Sequence, residues 1–374
     1  MLFNLFIYIF YINIFFYFVL IFWFILGLLK VKSQAIIPKA STIKKNVSVI
    51  VCVKNEENII SNILDDLKSQ IYDKDIEFII VDDNSNDKTA DIINSYINID
   101  KRFKYICSKD GDNSLSYKKK ALDAGIKAAK YEYLLFTDAG CRLQKQWIKS
   151  TMEKYLPGVN YIIGLSFIGD AKKIVTRFQK VDLFILMIST ISSIKLNCPL
   201  ASTGQNLSYK KNVYLSMNGF SKISNLMMGD DSIFMQICLK QQNIKINISE
   251  EPNSFVQSKT IFKWKELLLQ RIRWAGDGAI MWKYNKLFYL VMLFTFITNL
   301  FYFIMPFIFH TSLFYILSLF LIKFLFEFTF YCLGSIKINK RINIFNFIIW
   351  FFLQIPYVVF VAFFAPFSRR LGWK

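Results

Sequence analysis

The sequence predicts an α/β domain on a mostly parallel sheet, with transmembrane helices at its N-terminal and C-terminal ends. Three observations carry this. Residues 2–29 contain no charged side chain, and a bilayer span takes about 20 apolar residues. Residues 46–260 alternate short apolar runs with segments of helical spacing. Beyond residue 285 charge-free stretches return. Composition agrees, since 54% of the 374 residues are hydrophobic and 17% aromatic. That is more than a soluble domain carries, and it excludes a wholly soluble or a disordered chain. The length suits about two domains at the usual ~150 residues each.

The elements follow in order. No basic segment precedes the first span and no A-x-A-like site follows it, so residues 1–30 read as an uncleaved anchor. Lys30, Lys32, Lys39, Lys44 and Lys45 come next, which by the positive-inside rule places the following domain in the cytoplasm. Val47–Val53 reads as a strand, Asn58–Ser69 as a helix, Ile76–Val81 as a strand and Thr89–Ile97 as a helix. Tyr105–Cys107 is a short strand, Lys118–Lys130 a helix and Tyr133–Thr137 a strand. Such alternation implies right-handed crossovers and a parallel sheet. Residues 261–285 form an amphipathic, interfacial segment. Residues 287–367 hold three further spans, Leu287–Phe309, Thr311–Leu333 and Ile344–Ala365, the first two joined by a turn around Pro306 and His310. Within them Lys323 and Glu327 stand four residues apart, a spacing that pairs them on one helix face or lines a path for a lipid or polymer.

Charge and cysteine usage narrow the classes. The net charge of +19 is spread along the chain rather than clustered, which fits compositional bias and excludes nucleic acid as a partner. One histidine leaves no multi-histidine metal site. Six scattered cysteines without C-x-x-C spacing read as reduced, buried thiols.

Polar residues gather where the predicted strands end, which is where parallel α/β sheets bind ligands. Ile76–Val81 is followed by Asp82-Asp83-Asn84-Ser85. Adjacent carboxylates there suit recognition of a base or ribose, or an Asx turn before Thr89. Tyr133–Thr137 runs into Asp138-Ala139-Gly140. A carboxylate among small residues is either a turn residue or room for a divalent cation, Mg or Mn, beside a diphosphate. Gly229-Asp230-Asp231 precedes the apolar helical stretch Ile233–Leu239, as acids favoured by the helix dipole or as a general base. Gln270–Trp274 lies on the amphipathic segment, where cationic and aromatic anchors are expected in any case.

Taken together and in this order, the motifs resemble the membrane-bound family 2 glycosyltransferases of the GT-A type. These include cellulose and poly-N-acetylglucosamine synthases and ceramide glucosyltransferases. The resembling residues are 47–57, Val81–Ser85, Lys118-Lys119 before Ala121-Leu122, Phe136–Cys141, Gly204–Tyr209, Gly229–Asp231 and Gln270–Trp274. The resemblance implies a Rossmann-like nucleotide-sugar-binding fold over residues 46–260. It implies that Cys52, Asn55 and Glu56 line the nucleotide pocket, that Asp83 hydrogen-bonds the base, and that Lys118 or Lys119 approaches the nucleotide. Asp138 would hold the metal. Asp231 would be the general base, with Asp230 beside it. Gln205 and Asn206 count among the substrate-binding residues, and Gln270, Arg271, Arg273 and Trp274 would hold the leaving diphosphate and the acceptor. Two positions depart from the pattern: Gly140 replaces the second acid of the usual Asp-x-Asp, and Asp230 stands where the family often has Glu.

What the resemblance implies is an inverting transfer from a nucleotide-sugar donor, a UDP-sugar above all, to a lipid or glycan acceptor at the cytoplasmic face of the cell membrane. Membrane lipids are then partners. The rival is a degenerate scaffold that only binds nucleotide-sugar, for which Gly140 is the supporting feature.

Overall fold

A computed structural model describes residues 2–30, 45–169, 171–241, 244–308 and 313–370. Lys32, Lys39, Lys44 and His310, to which the sequence assigns sidedness or a turn, lie outside the described residues. In chain order the elements begin with α1 (Leu2–Leu29), β1 (Val47–Val53), α2 (Ile60–Lys68), β2 (Ile76–Asp82), α3 (Thr89–Ile99), β3 (Phe103–Cys107), α4 (Lys118–Ala128) and β4 (Tyr133–Asp138). Next come β5 (Arg142–Leu143), α5 (Trp147–Met152), β6 (Val159–Gly164), β7 (Ser166–Ile168), α6 (Ile174–Lys195), β8 (Leu207–Lys210) and α7 (Lys211–Ser216). The chain closes with α8 (Ser232–Gln241), β9 (Lys245–Ser249), β10 (Val256–Ser258), α9 (Trp264–Ile280), α10 (Lys286–Ile308), α11 (Leu313–Lys337) and α12 (Ile344–Phe364).

These elements form two units. One comprises Ser33–Gly169, Ala201–Lys259 and Gly372–Lys374. Its seven-stranded sheet has the order β3-β2-β1-β4-β8-β6-β9. The left half is parallel throughout, β1 pairing with β2 and β4 and β2 with β3. Only β8 runs against its neighbours β4 and β6, and β6 and β9 are parallel again. All seven residues of β1 and of β2 are buried, because helices cover both faces of a parallel sheet; that is why these strands read as largely apolar runs. Gly125 lets α4 lie directly on the sheet: a Cβ there would stand 2.7 Å from Ile50 and 2.8 Å from Val81. A second sheet, β5-β10-β7, is made of strands of two or three residues.

The register of the large sheet decides where chemistry can gather. Cys52 aligns with Asp138 on one side of β1, and Val53 with Asp82 on the other. The carboxyl ends of three adjacent strands therefore finish side by side.

The other unit comprises Met1–Lys32, Asp170–Leu200 and Thr260–Leu371. It corrects the expectation that 46–260 is one uninterrupted α/β segment. Helix α6 belongs here, packed against α1 and α12. A Cβ on Gly27 would stand 2.6 Å from the Ser192 carbonyl oxygen, so α1 and α6 meet backbone to backbone. Among the described residues four helices are long and apolar enough to cross a membrane, at Tyr8–Leu29, Lys286–Met305, Leu317–Lys337 and Ile344–Ser368. Lys323 and Glu327 form the i,i+4 pair at 2.7 Å, fully enclosed. Tyr17 of α1 and Gln354 of α12 both donate to Glu327. One proline reading is corrected. Helix α10 continues through Pro306 to Ile308, so no turn forms at Pro306. Helix α12 is likewise continuous across Pro356.

Candidate active site

The site is built where β1, β2 and β4 end. After β1 the chain turns sharply at Asn55, whose φ of 53° is left-handed, a conformation asparagine tolerates better than most residues. The turn is tied to the loop after β2: Asn55 N–H donates to Ser85 Oγ at 2.9 Å, and Asn86 N–H to Asn55 Oδ1 at 2.8 Å. Glu56 N–H donates to Thr89 Oγ1 at 2.9 Å. Asp82 is occupied by Ser85 and Tyr105. The neighbouring Asp83 keeps its carboxylate at the strand end, paired with Lys54 at 3.0 Å. Of the Asp82-Asp83 pair, the first builds the loop and the second pairs with Lys54.

A cluster of opposite charges lies beside this turn. Lys118, the first residue of α4, donates to Asp138 Oδ1 at 2.7 Å and lies 3.8 Å from Asp230 Oδ2. Burial alone would lower the Lys118 pKa, but Asp138 and Asp230 hold it above the ordinary lysine value. The ammonium is therefore fixed. Burial pushes the neighbouring Cys52 thiol up strongly, which keeps it protonated and removes it as a nucleophile.

Asp230 and Asp231 reach this cluster because their loop is fastened at both ends. Ser232 Oγ donates to the Ser202 carbonyl at 2.9 Å and Ser202 N–H to Ser232 Oγ at 3.0 Å. Gly204 N–H donates to Asp231 Oδ2 at 3.1 Å, and Ser232 N–H to Asp231 Oδ1 at 2.5 Å. Gly204 leaves room at the centre of the cluster: a Cβ there would stand 3.2 Å from Lys118 Nζ, with Asp230 and Asp231 just beyond. A small cavity beside Lys118 and Asp230 is lined by Phe136, Thr137 and Gly204. Burial, and then the charge of Asp230, raises Asp231 to about 6. Two carboxylates this close do not ionise independently, and a carboxylate poised near neutrality is suited to accept a proton.

Two expected binding residues turn out to be structural. Lys119 is fully buried and donates to the carbonyls of Leu226 and Met228. It anchors the loop leading into Asp230, whereas Lys118 is the lysine paired with Asp138 and Asp230. Asn206 is also buried, its amide donating to the carbonyls of Leu165 and Ser254 at 2.9 and 2.8 Å and its oxygen accepting from Trp147 at 3.0 Å. Gln205, next to it, has a buried amide oxygen without a hydrogen-bond partner among the described residues.

Asp138 is the one residue of the metal motif with a carboxylate, and its side chain is 36% exposed. Among the described residues no group of three or more His, Cys, Asp or Glu side chains is arranged so that it could by itself hold a metal ion. This donor set fits a cation that takes one protein oxygen and completes its shell with phosphate oxygens and water, as Mg²⁺ commonly does.

Gln270, Arg271, Arg273 and Trp274 lie in the second unit, on α9. Arg271 corrects the expectation of a substrate-facing cation. It is buried, its guanidinium 2.9 Å from Asp182 of α6 and 4.1 Å from the centroid of Trp274. Gln270, Arg273 and Trp274 are half-buried on the same helix. Asp182 carried no motif signal and was not expected.

The parallel sheet, the carboxylates at its strand ends and the Gln-x-x-Arg-Trp helix define a glycosyltransferase of the GT-A type. Family profiles agree: that of glycosyl transferase family group 2 matches residues 143–365, more than half the chain, and that of glycosyl transferase family 2 matches residues 48–203. The chain belongs to glycosyltransferase family 2. It is similar to the probable glycosyltransferase YdaM of Bacillus subtilis, 24% identical over 65% of this chain and 58% of that protein. It is similar also to the poly-beta-1,6-N-acetyl-D-glucosamine synthase of Staphylococcus aureus, 24% identical over 63% of this chain and 55% of that protein. The chain thus spans little more than half the length of these two relatives. Among solved structures, the mannosyltransferase PcManGT from Pyrobaculum calidifontis, in complex with GDP-Man and Mn2+, aligns with a TM-score of 0.60 at 13% identity over 88% of this chain and 89% of that one. At that identity the likeness shows the fold.

Proposed function

We propose that this protein is a membrane-anchored, inverting glycosyltransferase that moves a sugar from a nucleotide-sugar donor to a lipid or glycan acceptor at the cytoplasmic face of the membrane. The observation that carries the reading is the gathering of Asp138, Asp230 and Asp231 around Lys118 at the strand ends of a family 2 domain. Asp83 reads the base, in a pocket lined by Cys52, Asn55 and Glu56, with Gln205 on the substrate side. As the bond from the anomeric carbon to the diphosphate breaks, its electron pair leaves with the diphosphate. The acceptor oxygen attacks from the opposite face, and its proton passes to the Asp231 carboxylate. Lys118 meets the negative charge that develops on the leaving group. Gln270, Arg273 and Trp274 serve the leaving diphosphate and the acceptor, arginine for its planar fork. A divalent cation, Mg or Mn, would be held by Asp138 and would neutralise diphosphate charge.

Membranes containing the chain, incubated with a panel of UDP- and GDP-sugars, should yield a glycosylated product by mass spectrometry. Nucleotide binding without turnover on any donor would instead support a scaffold. Loss of partners merely supporting a metal ligand lowers metal affinity by about 10–100-fold, so Asp138→Asn is expected to raise the Mn²⁺ needed for half-maximal donor binding by at least about tenfold. An unchanged Mn²⁺ titration contradicts that role.

The same reading sets a topology. Helix α1 runs from outside to inside, leaving Lys30 and Lys45 in the cytoplasm, and α10 and α11 form an outward hairpin that returns Lys337, Lys340 and Arg341 to the cytoplasm. A continuous α12 then leaves the C-terminal tail, with Arg369, Arg370 and Lys374, outside, against the rule. Cysteines introduced at 337–341 should resist an impermeant thiol reagent in intact cells, and external labelling there contradicts the hairpin.

A further inference from the structure

Gly140 stands where the resembled pattern has its second acid, and the structure sets a lysine against it. Strand β10 runs antiparallel to β5, with Val256 opposite Leu143 and Gln257 opposite Arg142. Two residues further along, the same register brings Lys259 opposite Gly140. A Cβ on Gly140 would stand 3.0 Å from Lys259 Cδ and 3.2 Å from its Cβ, so the lysine stem lies along the glycine. Its ammonium is 3.4 Å from Glu56 Oε2, and the side chain is 56% exposed. The charge therefore sits at the open rim, in a pair too exposed to hold it firmly. At the other end of the same short turn, Lys118 is fixed on Asp138 at 2.7 Å. Two ammonium groups flank the Asp138–Gly140 turn, one locked and one free to move.

We propose that Lys259 is a diphosphate-binding residue of the donor site, delivering to the phosphates directly the positive charge that a second acid at position 140 would deliver through a metal. A carboxylate there could act on the diphosphate only by holding a cation between them. Glycine removes that anion and opens the space that the lysine stem fills. In the free protein the ammonium rests on Glu56. When a nucleotide diphosphate arrives with its greater negative charge, the ammonium exchanges one exposed carboxylate for phosphate oxygens, contacts lysine makes as a point charge. The inference rests on the donor reading above and adds that donor binding is only partly metal-dependent.

The test is calorimetric titration of UDP and GDP into the detergent-solubilised full chain, in EDTA and in saturating Mn²⁺. Wild type is expected to retain measurable affinity for one of the two in EDTA. Lys259→Ala should weaken that metal-free binding by about tenfold, the scale of one charge-assisted contact, and should lose less in Mn²⁺; Lys259→Arg should keep it. Gly140→Asp, which sets a carboxylate against the ammonium, should weaken binding in EDTA and recover it in Mn²⁺. Lys259→Ala that binds as tightly as wild type in EDTA overturns this inference alone. A wild-type chain that binds neither nucleotide in either condition overturns the donor reading with it.

Discussion

Asp231→Asn is expected to lower turnover at saturating donor by about 10²–10⁴-fold, the usual contribution of a positioned base, with little change in nucleotide affinity. The separation follows from the site. Asp231 is held by the N–H groups of Gly204 and Ser232, whereas Asp83, Lys118 and Asp138 lie on other segments. Asparagine keeps the size of the side chain and can still accept one of the two N–H bonds, so the main loss is one of proton acceptance. Asp230→Asn should be milder, because Asp230 acts through Lys118 and through its charge on Asp231. The pH profile gives a second readout. Burial and Asp230 raise Asp231 to about 6, and only its deprotonated form accepts a proton. Turnover should therefore fall by about tenfold per pH unit below that point and level off above it. Asp230→Asn removes a neighbouring negative charge and should move the acidic limb to lower pH. A harmless Asp231→Asn, or a more damaging Asp230→Asn, contradicts the assignment.

The largest effect on stability is expected at Arg271. Its guanidinium and Asp182 are both withdrawn from solvent, and burial lifts the Asp182 carboxyl while Arg271 opposes the shift. Removing one partner of such a pair leaves an uncompensated charge and costs about 3–5 kcal/mol. Arg271→Met should thus lower the thermal midpoint of the detergent-solubilised protein markedly. The double variant Asp182→Leu/Arg271→Met should recover most of the loss, since no charge is then stranded. Arg271 also stacks on Trp274 at 4.1 Å, so the single variant should disturb the aromatic side chain, seen in its fluorescence. An Arg271→Met protein as stable as wild type would contradict a structural role and return Arg271 to the substrate.

The parts of the fold legible in sequence were those set by burial and by local chemistry. β1, β2 and β4 are covered on both faces and therefore read as apolar runs, and the acids after them mark the strand ends. The four long apolar helices needed only their length and their scarcity of charge. What was not legible depends on distant contacts. The strands β5, β7 and β10 are two or three residues long and have no periodicity of their own; pairing alone makes them strands. That pairing brings Lys259 to Gly140, which nothing local signals. Helix α6 carries Arg177, Lys180 and Asp182 among apolar residues and resembles a helix of the α/β domain, until its packing on α1 and α12 is seen. Lys118 and Lys119 are neighbours of one type, and the helix turns them in different directions, one to Asp138 and one to buried carbonyls. Asn206 falls in a polar motif, yet its amide serves backbone groups three segments away.

The central claim is a single displacement in which Asp231 takes the proton of the acceptor. The stereochemistry of the product tests this most directly. With an α-linked nucleotide-sugar donor, the new glycosidic bond, read from its anomeric proton coupling by NMR, should be β in wild type. A product that keeps the α configuration would require a second displacement and would contradict the account.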